Sequence, residues 1–465
     1  MRILHVCKGL RGQKVPGAVF APRDMTPGPA EGRDVPPQRF MRVASRSVST
    51  LDSRENGKRP IVMISSWPPR LCGIATFTEE AVEFIHRRLP RRPVHIISHS
   101  DGRGRKVYPL IDTSRPHWYV SVANKVKQLR PAVVHIQHEY GLYNHVDYHN
   151  NGDGNAGFLR LLKEIGDYPI VVEPHTIHGR PRDNEMDFIQ SLCDLADVVI
   201  LKCQYHTWRL DWNFRERGWK TPSNFVVIPH GARPDKGWSA EEITQIKREI
   251  GLPNGSSCSR RIVGLVGGIQ SNKRWDILTS IWEETAAEIE RRTGEKWLLL
   301  AGGAMRDPAD RESYELYRSQ LKDLEGKGLG HYYEFIPRGD LYYKVMAVCD
   351  FVVLPTIDET QSGTLARIIA LKKPYITTAP VEGLTSQTVE SEGGLLFTSK
   401  QMLRERVIRL ACDEGLRATL SNNLRDYLDK VVSWEVVAEQ YVSAYETARR
   451  AKLSKHPVRL SLGVL

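Results

Sequence analysis

Short apolar runs of the buried-strand kind recur along this chain in two series, separated by stretches with helical periodicity. The first series reads Ile61–Ser65, Val94–Ser98, Val133–His138, Ile170–Glu173, Val198–Leu201 and Val226–Pro229. The second reads Ile262–Val266, Trp297–Ala301, Tyr333–Ile336, Phe351–Pro355 and Tyr375–Thr378. Strands of this kind are covered on both faces, and regular alternation with helices implies parallel pairing. Behind the first strand, Thr76 and Glu79 have capping-box spacing, and Phe77, Ala81, Ile85 and Leu89 then recur every fourth residue, which predicts a helix there.

A length of 465 residues exceeds one hydrophobic core. The expected fold class is therefore α/β with two Rossmann-like, doubly wound parallel-sheet domains facing across a cleft. Residues 59–233 form the first domain, 234–259 a linker and 260–432 the second domain. A C-terminal helix follows over 433–451, then a tail over 452–465. The linker is placed where Asp235-Lys236-Gly237, a helical stretch and the polar run Pro253–Ser259 break the rhythm. Residues 1–58, rich in Arg, Pro, Gly and Ser, read as a flexible basic extension, with Met25 and Met41 as alternative starts.

Composition narrows the setting. At 41% hydrophobic and 26% charged residues the chain reads as globular and soluble, and no apolar run reaches the ~20 residues of a membrane span. Met1–Cys7 is too short and weakly flanked for a secretory signal. Seven scattered cysteines have no metal-ligand spacing, and their odd number argues against a disulfide framework, so a cytoplasmic setting is expected. The excess of 66 basic over 55 acidic residues suits an anionic partner such as a nucleotide. No zinc-finger spacing or basic heptad helix points to nucleic acid.

Several strand-to-helix loops carry candidate chemistry. After Phe351–Pro355 comes an acidic loop with Asp358 and Glu359, and then a helix start at Ser362-Gly363-Thr364. Unpaired amides at a helix start hold phosphate or sugar oxygens, the two hydroxyls add donors, and the carboxylates accept from sugar hydroxyls. The same residues also suit an ordinary turn with a Ser or Thr cap. After Ile262–Val266, Gly267 and Gly268 let backbone approach a ligand, and Lys273 supplies a point charge for a diphosphate. In the first domain Gly73 lies in the loop Ser65–Ile74, open either to a donor or to a plain proline-stiffened turn. His138, His175 and His230 each follow a strand; His230, between Pro229 and Gly231, suits a turn role.

Taken together, these segments resemble the retaining GT-B glycosyltransferases of family four over roughly residues 60–450. The matching stretches are Pro68–Phe77, His135–Gly141, Pro174–Thr176, Ile228–Gly231, Gly267–Lys273 and Gln361–Ala366, in family order. The resemblance implies a nucleotide diphospho-sugar donor held mainly by the second domain, and a carbohydrate or lipid-linked acceptor held mainly by the first. It implies hexosyl transfer with retention of anomeric configuration, with no cofactor and no catalytic metal. By position, Lys273 neutralises the diphosphate, Glu359 contacts the donor sugar and His175 lines the reaction centre. Gly73, Gly267 and Gly268 lie against the donor, and Ser362, Gly363 and Thr364 hold its oxygens. Two positions depart from the family pattern: Gly268 stands where Arg is common, and Arg367 where a second Glu reaches the ribose. Arg367 either takes over a phosphate contact or lies on the surface of its helix. The basic helix end His86–Arg92 is either a solvated face or one that meets anionic lipid at a membrane surface.

The same fold also serves sugar phosphorylases and nucleotide-sugar epimerases, and a nucleotide-sugar binder without turnover is the alternative of another class. The base, sugar, acceptor and oligomeric state are not legible in the sequence.

Overall fold

The computed structural model describes residues 59–144, 155–235, 237–252, 260–305, 307–357, 359–379 and 381–454. The expected N-terminal extension 1–58, the polar run 253–259, Asp358 and most of the expected C-terminal tail lie outside the described residues.

The first sheet has seven strands: β1 (Ile61–Ile64), β2 (Val94–His99), β3 (Val107–Ile111), β4 (Val133–His138), β5 (Ile170–Pro174), β6 (Val198–Leu201) and β7 (Phe225–Val227). Their order is β3-β2-β1-β4-β5-β6-β7, and every pairing is parallel. The second sheet has six: β8 (Arg261–Val266), β9 (Trp297–Gly302), β10 (Gly330–Tyr333), β11 (Phe351–Leu354), β12 (Tyr375–Thr378) and β13 (Gly394–Phe397). Their order is β10-β9-β8-β11-β12-β13, again all parallel. In each sheet the order reverses beside the first strand, and the helices that follow β1 and β4, or β8 and β11, pack on opposite faces. Ligands of open parallel sheets bind at such switch points.

Both sheets are covered on both faces, as strands without polar alternation require. Val62 and Ile64 of β1 join one core cluster while Ile61 and Met63 join another. In β8, Val263 and Leu265 point to one side and Ile262 and Val266 to the other. The helix Ala240–Glu249 packs with the second domain, placing Ile246 in its core. The last helix, Trp434–Ser454, crosses back onto the first domain, where Trp434, Val437, Tyr441 and Tyr445 are buried with Met63 and Phe77. Full burial of a large apolar side chain stabilises by roughly 1.5–3 kcal/mol, so this return helix fastens the two domains. The two crossing segments lie side by side: Ala232 N–H donates to Val432 O at 2.7 Å, and Trp434 N–H to Ala232 O at 3.1 Å. Gly231 permits that approach, since a Cβ there would stand 2.3 Å from the Trp434 ring.

Several local expectations are corrected. β3 and β13 are additional to the expected strands; each is an edge strand, the first interrupted by Pro109 and the second opened by Gly394, and edges tolerate such residues. β10 spans Gly330–Tyr333 rather than Tyr333–Ile336, because the half-buried Gly-His-Tyr-Tyr edge lacks an apolar run. The first helix opens at Gly73 with Cys72 as its N-cap, so Thr76 and Glu79 lie inside it and form no capping box. Arg92 is buried and donates to Arg59 O at 2.6 Å, which removes it from the basic helix end.

Candidate active site

The loops leaving β8 and β11 meet at the second sheet's switch point. Ser271–Lys273 forms a short 3-10 turn, and Ile357 N–H donates to Asn272 O at 3.0 Å, fastening one loop to the other. The result is an ion pair between the two, with Lys273 Nζ 2.7 Å from Glu359 Oε1 and both side chains largely shielded. Behind it, Gly267 packs toward the Gly363–Ala370 helix, its Cβ position 3.5 Å from both Thr364 Oγ1 and Tyr342 Oη. Thr364 and Tyr342 share a hydrogen bond of 2.7 Å. Gly268 lies in the same loop, half-buried. The loop's position depends on Gly303, outside the expected site loops: a Cβ there would stand 1.9 Å from Gly267 O.

Ser362 is the N-cap of its helix. Its hydroxyl accepts from Leu365 N–H at 3.2 Å, which commits it to the helix and leaves the amides of Gly363 and Thr364 as the start of the first turn. The Gly363 Cβ position faces His230 Nε2 at 4.0 Å and Arg367 Nη1 at 3.4 Å. Arg367 is no surface residue of its helix. Its guanidinium donates to Gly363 O at 2.8 Å, covers the Tyr342 ring at 5.0 Å and lies 3.9 Å from Glu80 of the first domain, with 13% of the side chain exposed.

From the first domain, Phe77 on the helix Gly73–Arg88 gathers His175 and His230 edge-on, at ring distances of 4.9 and 4.8 Å, and Lys202 lies over its face. One turn further, Glu80 accepts from Trp434 Nε1 at 2.8 Å. His175 is enclosed on every side. Nε2 lies 2.6 Å from Gln137 Oε1, Nδ1 lies 2.7 Å from Gln361 Nε2, and its carbonyl accepts from Thr360 Oγ1 at 2.9 Å. Burial lowers its pKa to about 3, so the ring is neutral. His230 is likewise lowered to about 3 by burial and then by the Lys202 charge, and its Nδ1 bonds Gly231 O at 2.7 Å, the turn role its neighbours suggested.

The predicted residues do not all converge. His138 is turned into the first domain's core, bonded to Asn155 at 3.0 Å and stacked among Tyr143, Phe158 and Phe188. Gly73 stands at the helix start with nothing within 4 Å of its Cβ position. Gln137, Thr360 and Gln361 also belong to the site: Gln137 meets His175 from the neighbouring strand of the same domain, 38 positions away, and Thr360 and Gln361 meet it from the other domain, 185 and 186 positions away, separations that no local motif reveals. Among the described residues, no group of three or more His, Cys, Asp or Glu side chains is placed to hold a metal ion. No helix among them is long and apolar enough to cross a membrane.

Comparison with known proteins agrees with this architecture. Residues 260–413 match the family model described as glycosyl transferases group 1. The uncharacterized glycosyltransferase MJ1607 of Methanocaldococcus jannaschii is 25% identical over 236 residues, 49% of this chain. That match spans only about half of the relative's length, 55%. Among solved structures, Alr3699/HepE of Anabaena in complex with UDP has a TM-score of 0.60 at 15% identity, covering 83% of this chain and 98% of that one. A glycosyltransferase from Rickettsia africae has a TM-score of 0.61 at 12% identity, covering 84% and 98%. At such identities the likeness establishes the fold. The second domain thus matches the group 1 glycosyl transferase family over residues 260–413, and the described residues carry the GT-B fold of two Rossmann-like parallel-sheet domains.

Proposed function

We propose that this chain is a glycosyltransferase that moves a hexosyl group from a nucleotide diphospho-sugar to a carbohydrate or lipid-linked acceptor, with retention of anomeric configuration. The observation that carries this reading is the 2.7 Å Lys273–Glu359 pair beside the Gly363 helix start, at the switch point of a sheet. The family match of the second domain and the UDP and UDP-glucose held by the Anabaena structures support the same donor class.

In this reading the donor diphosphate takes Lys273 away from Glu359. A phosphate offers more oxygens and charge to an ammonium than one carboxylate does, and the Gly363 and Thr364 amides add the positive end of the helix dipole. Glu359, released, accepts from a hydroxyl of the donor sugar. The acceptor oxygen then bonds the anomeric carbon as the bond to phosphate breaks, and the departing phosphate oxygen takes the acceptor's proton. Charge on the leaving group is met by fixed groups of the chain, with no cofactor and no metal. The enzyme works in the cytoplasm, where its basic first domain can meet an anionic membrane surface.

A thermal-shift panel of UDP-, GDP- and ADP-sugars tests the reading, since a ligand that binds only the folded chain raises its melting temperature. Stabilisation by one donor class, followed by nucleotide release in the presence of acceptor, supports it. No shift with any of the three at millimolar concentration rejects it.

A further inference from the structure

Gln361 belongs to the second domain, yet its side chain ends on the first. Its amide nitrogen donates to His175 Nδ1 at 2.7 Å and reaches His175 O at 3.4 Å, beside the Thr360 hydroxyl. On the far side of the ring, Nε2 meets Gln137 Oε1 at 2.6 Å, and Gln137 Nε2 continues to Glu173 Oε2 at 2.7 Å. Glu173 is fully buried. It also receives His135 Nε2 at 2.9 Å, Tyr441 Oη at 2.9 Å and the Lys202 ammonium.

The direction of this chain follows from Glu173. A carboxylate only accepts, so the Gln137 amide must turn its NH2 to Glu173 and its oxygen to His175. That oxygen needs a donor, which places the His175 proton on Nε2. Nδ1 is then left as an acceptor, and only the NH2 of Gln361 satisfies it. Both ring nitrogens are thereby spent on positioning, and the neutral ring has none free to act as a base.

Resting on the glycosyl-transfer reading, we propose that Gln137 and Gln361 are positioning residues that form a latch on His175. Gln137 presents the ring with Nε2 protonated, and Gln361 docks on Nδ1 when the two domains close around the donor. Closure fixes the Pro174–Thr176 segment against the Thr360–Gly363 loop, at the helix start assigned to the donor. The first domain keeps its Glu173 hub when the domains part, so Gln361 is the element that engages and releases.

The test uses the full chain with 15N-labelled histidine, the His175 signals being assigned with His175→Asn. Wild type should show the neutral Nε2–H form down to about pH 4, given the lowering to about 3. Gln361→Glu sets a carboxylate opposite Nδ1, so a proton must enter between the two, and the adjacent negative charge draws it to the ring. A neighbouring opposite charge raises a pKa by about 1–3 units, so the imidazolium signal should emerge between about pH 4 and 6. If that variant fails to fold, Gln361→Met removes the donor without adding charge, and the Nδ1 signal should move to that of an unbonded acceptor. Unchanged His175 signals in the folded variant would overturn the latch. In turnover assays, Gln361→Met should lower kcat by about 10- to 100-fold, the scale of a misplaced reacting group, with nucleoside diphosphate binding within about twofold of wild type because the Gln361 side chain ends on His175 of the first domain. An unchanged kcat also overturns it. A wild-type chain that binds nucleotide and transfers nothing sinks the transfer reading, and the spectra then decide the latch alone.

Discussion

Lys273 and Glu359, 86 positions apart, are joined by a hydrogen-bonded ion pair of 2.7 Å between the loops that leave β8 and β11. The pair lets the two partners be told apart. In the proposed reading, removing Lys273 deletes the diphosphate's counter-charge, whereas removing Glu359 frees that charge from its internal competitor. Lys273→Ala should therefore lose turnover by about 100-fold or more and weaken binding of the nucleoside diphosphate, on the scale of one electrostatic contact to a leaving group. Glu359→Gln should lose turnover too, while binding the bare nucleoside diphosphate at least as tightly as wild type. Calorimetric titration of the two variants checks this pair of outcomes.

The glycine loop supplies a steric prediction. Gly303→Ala sets a methyl group 1.9 Å from Gly267 O, so backbone must move, at a cost of about 1–3 kcal/mol for overpacking. Nucleotide binding should fall together with melting temperature. Gly73→Ala meets nothing within 4 Å. It should keep the wild-type melting temperature or gain slightly, and lower turnover only where Gly73 adjoins the donor. Paired thermal and kinetic measurements on the two variants separate loop support from ligand contact.

Much of the architecture was legible because buried parallel strands announce themselves as apolar runs. Eleven of the thirteen described strands overlap such runs, and β10 among them is displaced from its run by its mixed edge composition. The missed β3 and β13 are edges, where one neighbour suffices and Pro109 or Gly394 does no harm. Lys273, Glu359, Gly267 and Thr364 come together because each ends or follows a strand beside the same switch point. Gly73 followed the same rule and meets none of them, since the rule locates a loop end but no distance across a cleft. Interdomain partners were out of reach for the same reason. Nothing local in Gln361, Arg367 or Glu80 shows that they face the opposite domain.

The Glu173–Lys202 contact is fully internal, and burial pushes the Lys202 ammonium well below its usual range. Removing one member of such a pair leaves the other charge unpaired, at a cost of roughly 3–5 kcal/mol. Lys202→Met should show that loss in denaturant unfolding. Lys202→Met combined with Glu173→Gln should recover part of it, because no lone charge remains. A double variant as unstable as the sum of the singles would contradict the pairing.

Acid should attack the first domain before the second. Burial lowers His135, His175 and His230 to about 3, and His99, His138 and His206 to about 4. All six lie between residues 59 and 233. Unfolded, each takes a proton near pH 6.5, so below that the unfolded chain binds more protons than the folded one. Their contribution is complete above about pH 6.5 and is lost as pH falls toward 3–4, by at most about 1.4 kcal/mol per pH unit for each ring. Calorimetry at pH 7.5 and pH 5 should show a lower-melting transition moving down in acid, and tryptic digestion at pH 5 should leave the second domain last.

The most direct test is a crystal structure with a nucleoside diphosphate bound, UDP, GDP or ADP as the thermal-shift panel selects. The expected result is a distal phosphate within hydrogen-bonding distance of Lys273 Nζ and of the Gly363 and Thr364 amides, with Glu359 turned away from Lys273. A diphosphate bound elsewhere, with the Lys273–Glu359 contact still closed, would contradict the account.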